Sequence, residues 1–285
     1  GVEHARYWLG ARCLPKRKAW PSAKEKQPYL SGTKRPRHVP NAEALCWYDT
    51  PQTTLYIRLK TAFMLLSGLC LLRIIQGCVV FVLAVAAINM ANVLPLRSWR
   101  ALWLGAARWL TYLLLASLGY YKVPVTGAFA GPEEVRLLMG NHVCLIEVIV
   151  MFAEAFPSFV SRAENLSIPL FTGIVHAVDA ILVDRAVASS RGGALEEIRK
   201  RVCDDEGSST GTQVMIFPEG TCNNSNTLFR FNKGPFSLGK PVQMACFQYP
   251  YRSYNPAYIG RALGGNELGD VILHCTMQFV NRIEV

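Results

Sequence analysis

From Ala62 to Leu94 the chain is almost continuously apolar, reading AFMLLSGLCLLRIIQGCVVFVLAVAAINMANVL, and few folds can absorb such a run. A helix that crosses a bilayer needs about twenty apolar residues, so one span fits. The run lacks the polar face of a soluble helix, yet it carries Arg73 and Gln76 inside it. A charge in the hydrocarbon core is costly. Two arrangements meet that cost. One is a single span from about Ile74 to Leu94 with Arg73 at the interface; the other is a re-entrant hairpin with both ends on the cytosolic side.

The flanks extend this reading. Residues 1–52 are rich in Pro, Lys and Arg and hold no sustained apolar period, which predicts a disordered basic leader. The formal charge of +10 is concentrated there, with ten Lys or Arg against two acids in residues 1–40. A basic tail beside an apolar stretch suits an anionic membrane face, and the near-neutral remainder argues against a nucleic-acid partner. A solvated tail with no partner is the plainer alternative. Beyond Pro95, the aromatic residues Trp99, Trp103, Trp109 and Tyr112 alternate with Arg97, Arg100 and Arg108 up to Tyr121, the texture of an interfacial helix. Residues 53–121 are therefore assigned to the membrane. The nine cysteines are scattered without a C-x-x-C pair or a His cluster. That pattern predicts neither a disulfide framework nor a metal site, in a reducing setting.

Residues 122–285 change character, with short apolar runs alternating with helical segments. Strands are expected at 122–125, 136–139, 158–161, 180–183, 213–217 and 243–247. Helices are expected at 145–156, 169–178 and 190–203, the last with Leu195, Ile198 and Val202 on one stripe. The fold class is α/β, a mostly parallel sheet flanked by helices, with functional groups at strand ends. The chain stops where a further strand is beginning, at Arg282–Val285, so this domain is expected to be cut short.

Two stretches carry the chemistry. In Gly140-Asn141-His142-Val143-Cys144-Leu145-Ile146-Glu147, five positions on an unbroken helix would turn His142 and Glu147 about 140° apart. They meet only if His142 lies in the turn before a helix, with Asn141 as its cap and Glu147 in its first turns. Imidazole is the natural general base near neutral pH, and a carboxylate fixes its tautomer. A capped buried helix whose Glu147 pairs with a distant arginine is the bland alternative. The second stretch, Pro218-Glu219-Gly220-Thr221, ends the apolar run 214–217, and exposed amides at such a turn suit a phosphate. Arg185 closes another strand, and Lys233 adds a cation. Arginine binds phosphate in bidentate fashion, although Arg185 could equally pair with Asp184 or Glu219.

The order Asn-His-x4-acid, Val183-Asp184-Arg185, Phe217-Pro218-Glu219-Gly220-Thr221 and Gly239-Lys240-Pro241-Val242-Gln243 resembles the glycerolipid acyltransferase superfamily. Met215–Asn224, Ser167–Phe171 and Met277–Val285 look most like its lysophosphatidylcholine acyltransferase branch. The resemblance implies acyl-CoA as co-substrate, a lysophospholipid acceptor and no cofactor. His142 would act as general base for direct attack on the thioester, oriented by Glu147. Arg185, Glu219, Gly220, Thr221 and Lys233 would hold the phosphate. It also implies membrane lipid as the setting, at the endoplasmic reticulum with the catalytic domain facing the cytosol. Glycerol-3-phosphate or lysophosphatidic acid is the rival acceptor, and an inactive membrane-binding scaffold is the rival class. Two departures stand out. The family's acid is normally Asp, so Glu147 adds one methylene and about 1 Å, a shift that can cost about 10²-fold in rate. Cys222 stands where some members carry Arg.

Overall fold

The computed structural model describes residues 54–91, 93–94, 96–163, 166, 172, 174–175, 178–184, 188–203, 213–225, 228–251, 253–259 and 266–285. The leader 1–52, most of the expected helix 169–178, the Ser167–Phe171 stretch and Arg185 lie outside the described residues.

The apolar run forms two helices. Thr54 caps α1 (Leu55–Leu66), its hydroxyl accepting from the Ile57 amide at 3.3 Å. After the Ser67-Gly68 turn comes α2 (Leu69–Ala91), which begins before the expected Ile74. Among the described residues, α2 is the one helix long and apolar enough to cross a membrane. The aromatic segment forms α3 (Arg97–Ser117), which packs on α2 through Ala87, Ile88 and Ala107.

Arg73 of the apolar run and Arg108 of the interfacial segment are both spent on protein carbonyls. The Arg73 guanidinium donates to the carbonyls of Thr276 and Phe279, each at 3.1 Å, and also reaches the Gln278 carbonyl and the Tyr121 hydroxyl. Arg108 donates to the carbonyls of Ala153 and Glu154 at 2.9 and 2.6 Å. Those carbonyls end a helix, where a cation meets the negative end of the helix dipole.

That helix belongs to the α/β part. The chain runs β1 (Leu137–Gly140), α4 (Ile146–Glu154), β2 (Ser158–Arg162), β3 (Ile181–Val183), α5 (Ala188–Cys203) and β4 (Val214–Ile216). A 3₁₀ turn (Pro235–Leu238), β5 (Val242–Ala245) and α6 (Leu268–Thr276) follow. The strands lie in the order β3-β2-β4-β1-β5, and every ladder among them is parallel. Such strands are covered on both faces and read as unbroken apolar runs, which is why β1 is simply Leu-Leu-Met-Gly with every residue buried.

Alternation sorts the side chains. Leu138, Met215 and Ala245 pack on the face holding α4, with Val150 and Met151. Leu137, Met139, Val214 and Ile216 pack on the opposite face against α5. The buried stripe of α5 is Ala194, Ile198 and Val202, one position off the expected Leu195 start.

The segment 122–125 is not a strand of the sheet. It runs beside the end of the chain, where Val285 N donates to Pro124 O at 3.0 Å and Thr126 N donates to Val285 O at 2.7 Å. Pro124 has no amide hydrogen to give a ladder.

Gly140 closes β1 where its neighbours crowd in. A Cβ there would stand 2.8 Å from Phe247 Cε2 and 2.9 Å from both Ala245 O and Met215 Cε. Two of those neighbours are flexible ends, but Ala245 O is backbone of β5. Gly140→Ala is therefore expected to cost about 1–3 kcal/mol by overpacking. Chemical denaturation of the detergent-solubilised protein checks it, and an unchanged midpoint would show that the edge of β1 is looser than described.

Candidate active site

β1 and β4 are nearest neighbours, so the loops leaving their C-terminal ends rise side by side. Asn141 opens the first loop. It does not cap α4, as its type suggested. Its side-chain amide donates to Phe247 O at 2.9 Å and its oxygen accepts from Phe247 N at 2.7 Å, bracing β1 to the end of β5. His142 follows in the turn before α4. Its ring stacks on Phe217, with centroids 4.2 Å apart and planes 15° from parallel, and its side chain keeps 21% of its surface exposed.

Glu147 lies in the first turn of α4 and is completely buried. Its carboxylate ties down the loop that leads into α4. Oε1 accepts from the amides of Val143 and Cys144, each at 3.1 Å, and Oε2 accepts from the Cys144 amide at 2.9 Å. The Tyr249 hydroxyl donates to Oε1 at 2.6 Å. What remains for His142 is a Nδ1···Oε2 separation of 3.5 Å. That is ion-pair distance but too long for a well-formed hydrogen bond, and Nδ1 makes no hydrogen bond. No arginine among the described residues stands at ion-pair distance from Glu147.

The second loop locks onto the first from beneath. Glu219 is buried, and its carboxylate accepts from the His142 amide at 2.8 Å, from Asn223 Nδ2 at 2.9 and 2.8 Å, and from Phe229 N at 2.9 Å. The Asn223 amide donates to His142 O at 2.7 Å. Glu219 was expected at the phosphate, and its geometry instead makes it the brace of His142. Gly220 turns the chain at φ +73°, where an L side chain is strained, and Asn232 ties the turn by donating to Pro218 O at 2.9 Å. Thr221 and Lys233 are exposed. His142, Glu147, Glu219 and Gly220 thus converge at one sheet edge.

Protonation follows from these contacts. Burial disfavours a charged His142 ring, but the neighbouring Cys222 and the buried Glu147 carboxylate at ion-pair distance outweigh it and raise the pKa to about 10. Burial, followed by neighbouring charge including that of Glu147, pushes Cys144 and Tyr249 well above their ordinary values, so both are neutral donors at pH 7. Tyr249, Cys144 and Phe217 are the residues sequence reasoning missed. Cys144 lies three positions before Glu147 in plain apolar context, and only the fold brings Tyr249 to that carboxylate.

Residues 122–248 match the family model described as Acyltransferase. The chain is 37% identical over 142 residues to the lysophospholipid acyltransferase LPCAT4 of Mus musculus, covering 50% of this chain and 26% of that protein. It is 29% identical over 217 residues to the lysophospholipid acyltransferase LPEAT2 of Arabidopsis thaliana, covering 73% of this chain and 39% of that protein. To human lysophosphatidylcholine acyltransferase 2 it is 34% identical over 158 residues, 55% of this chain and 28% of that one. The chain thus spans between a quarter and two fifths of these relatives. Among solved structures, the 1-acyl-sn-glycerophosphate acyltransferase PlsC of Thermotoga maritima aligns with a TM-score of 0.45 at 18% identity, over 70% of this chain and 75% of that one.

The His142 contacts have a consequence for stability. Between the ordinary imidazole value of 6.5 and the folded value of about 10, the folded protein keeps a proton that the unfolded chain has released. The stabilisation is complete below the lower value and fades as pH rises through the upper one. The gap in unfolding midpoint between the natural protein and His142→Asn should therefore shrink as pH rises across that window. A gap that stays constant would contradict the assigned contacts.

Proposed function

Because residues 122–248 match the acyltransferase family model, we propose that the chain is a membrane-bound enzyme of the lysophospholipid acyltransferase type. It moves a fatty acyl chain from acyl-CoA to the free hydroxyl of a lysophospholipid. The observation that carries the reading is the His142–Glu147 pair at the C-terminal edge of β1, clamped by Glu219 beside the Gly220 turn.

His142 accepts the acceptor's hydroxyl proton through the ring nitrogen that does not face Glu147. The oxygen attacks the thioester carbon directly, the carbon–sulfur bond breaks, and the imidazolium returns its proton to the departing thiolate. Glu147, facing Nδ1 at ion-pair distance, orients the ring and offsets its positive charge. A ring with a pKa of about 10 holds a proton in the free protein at neutral pH, so the rate should rise with pH above 7. An acceptor that dries the ring on binding works toward the neutral base. Arg185, the Gly220-Thr221 amides and Lys233 bind the acceptor phosphate, and Glu219, whose carboxylate accepts from His142, Asn223 and Phe229, holds the turn that carries those amides.

The setting is a membrane. Leu71, Leu72, Val79 and Leu83 of α2 are all exposed, a surface that water would not favour. α2 and α3 anchor the enzyme, residues 122–285 form the catalytic domain, and the endoplasmic reticulum with a cytosol-facing site is the proposed location. The long His142–Glu147 contact favours one other reading, a scaffold that keeps the fold without the chemistry.

The test is transfer of labelled acyl groups from acyl-CoA to a panel of lysophospholipids, lysophosphatidic acid and glycerol-3-phosphate, with the full chain in membranes. Transfer to a lysophospholipid is expected, and His142→Ala should lower it by about 10²–10⁴-fold. Undiminished transfer by His142→Ala would refute the mechanism. Transfer to glycerol-3-phosphate or lysophosphatidic acid alone would reassign the acceptor, and none to any acceptor would leave the scaffold.

A further inference from the structure

Behind the pair, 102 positions along the chain from Glu147, stands Tyr249. Its hydroxyl-to-Oε1 distance of 2.6 Å is the shortest contact the Glu147 carboxylate makes, in a site where Glu147 is 0% and Tyr249 8% exposed. A carboxylate can only accept, so the tyrosine's single proton is committed to it. The Cys144 sulfur, 3.3 Å from the same hydroxyl oxygen, is then the donor in that second contact. The order is Cys144 thiol to Tyr249 hydroxyl to Glu147 carboxylate. The direction is fixed because every member but the last keeps its proton.

The backbone around Tyr249 is held as firmly as its side chain. Gln248 exchanges two hydrogen bonds of 2.9 Å with Glu284, and Phe247 exchanges two with the Asn141 side chain. Tyr249 therefore sits at a set distance from the start of α4. The Glu147 carboxylate is shared between Tyr249 and the two amides on one side and His142 on the other. The glutamate side chain, one methylene longer than aspartate, meets the tyrosine hydroxyl at 2.6 Å. An aspartate would pull the carboxylate back by about 1 Å, a displacement of catalytic consequence.

We propose that Tyr249 is a positioning residue for acyl transfer, matched to a glutamate at position 147. It fixes the carboxylate that in turn orients His142, and its contribution depends on Glu147 having the length it has. This rests on the reading of His142 as the base.

The test uses the full chain in membranes with acyl-CoA and the best lysophospholipid acceptor, comparing Tyr249→Phe, Glu147→Asp, the double variant and His142→Ala. Tyr249→Phe should lower kcat by about 10–100-fold with KM for either substrate within about twofold. It should also move the rising limb of the rate profile to higher pH, because a carboxylate that has lost a donor holds the imidazolium more tightly. Glu147→Asp should lower kcat, and adding Tyr249→Phe to it should cost less than about threefold, since the two changes break one interaction. Natural kcat and an unmoved pH limb in Tyr249→Phe would overturn the proposal, as would equal losses in both backgrounds. If Tyr249→Phe fails to fold, Glu147→Asp decides alone, and a kcat above the natural protein's would overturn it. Full activity of His142→Ala would refute this proposal together with the reading beneath it. Loss in His142→Ala with no effect of Tyr249→Phe would refute this one alone.

Discussion

The Glu219 carboxylate, accepting the His142 amide at 2.8 Å, joins the two loops from which the site is made. Taking a carboxylate out of water costs several kcal/mol unless its lone pairs are filled. Here His142, Asn223 and Phe229 fill them, and hydrogen bonds to a charged group are worth about 1.5–3 kcal/mol each. The donors come from both loops, so the charge is satisfied only when the loop after β4 sits against the loop after β1. That is possible because the two strands are parallel neighbours and release their chains at the same edge. His142 is thereby located through its backbone, and its ring is set separately by the stack on Phe217. Glu147 repeats the device a turn later, with the amides of Val143 and Cys144 and the Tyr249 hydroxyl as its donors.

The same economy ties the apolar helices to the sheet domain. Arg108 of α3 neutralises the carbonyl end of α4, the helix that carries Glu147. Arg73 of α2 does so for carbonyls at the end of α6 and just beyond it. A guanidinium offers five donors in a rigid fork, so one residue can fill several carbonyls at once. Two charges that look expensive in an apolar run are thus spent on helix ends, and α2 and α3 are fixed relative to the helix that bears the acid.

Much of this was legible in the chain, and the limits have physical causes. Residues 213–217 and 136–139 read as strands because a doubly covered parallel strand is apolar throughout. His142 and Glu147 could be paired because only a turn before a helix reconciles their spacing with one site. Residues 122–125 were misread because their apolar texture is that of a strand, while Pro124 withholds a ladder donor. Asn141 and Glu219 were recognised as important but given other tasks. An asparagine before a helix looks like a cap, and an acid in a tight turn looks like a ligand contact, until the partners 106 and 77 positions away are known. Tyr249 had no local signal at all. Its role is set by a strand order in which β5 lies beside β1, and no periodicity encodes that.

The account turns on His142 being a base whose proton affinity is raised by the acid behind it and lowered when the acceptor arrives. The direct measurement is a ring-nitrogen NMR titration of His142 in the full chain, free and with an unreactive lysophospholipid analogue that lacks the acceptor hydroxyl. The account predicts a pKa near 10 in the free protein, falling when the analogue binds and falling in Glu147→Gln. A ring that titrates near its ordinary value of 6.5 and ignores both changes would contradict it.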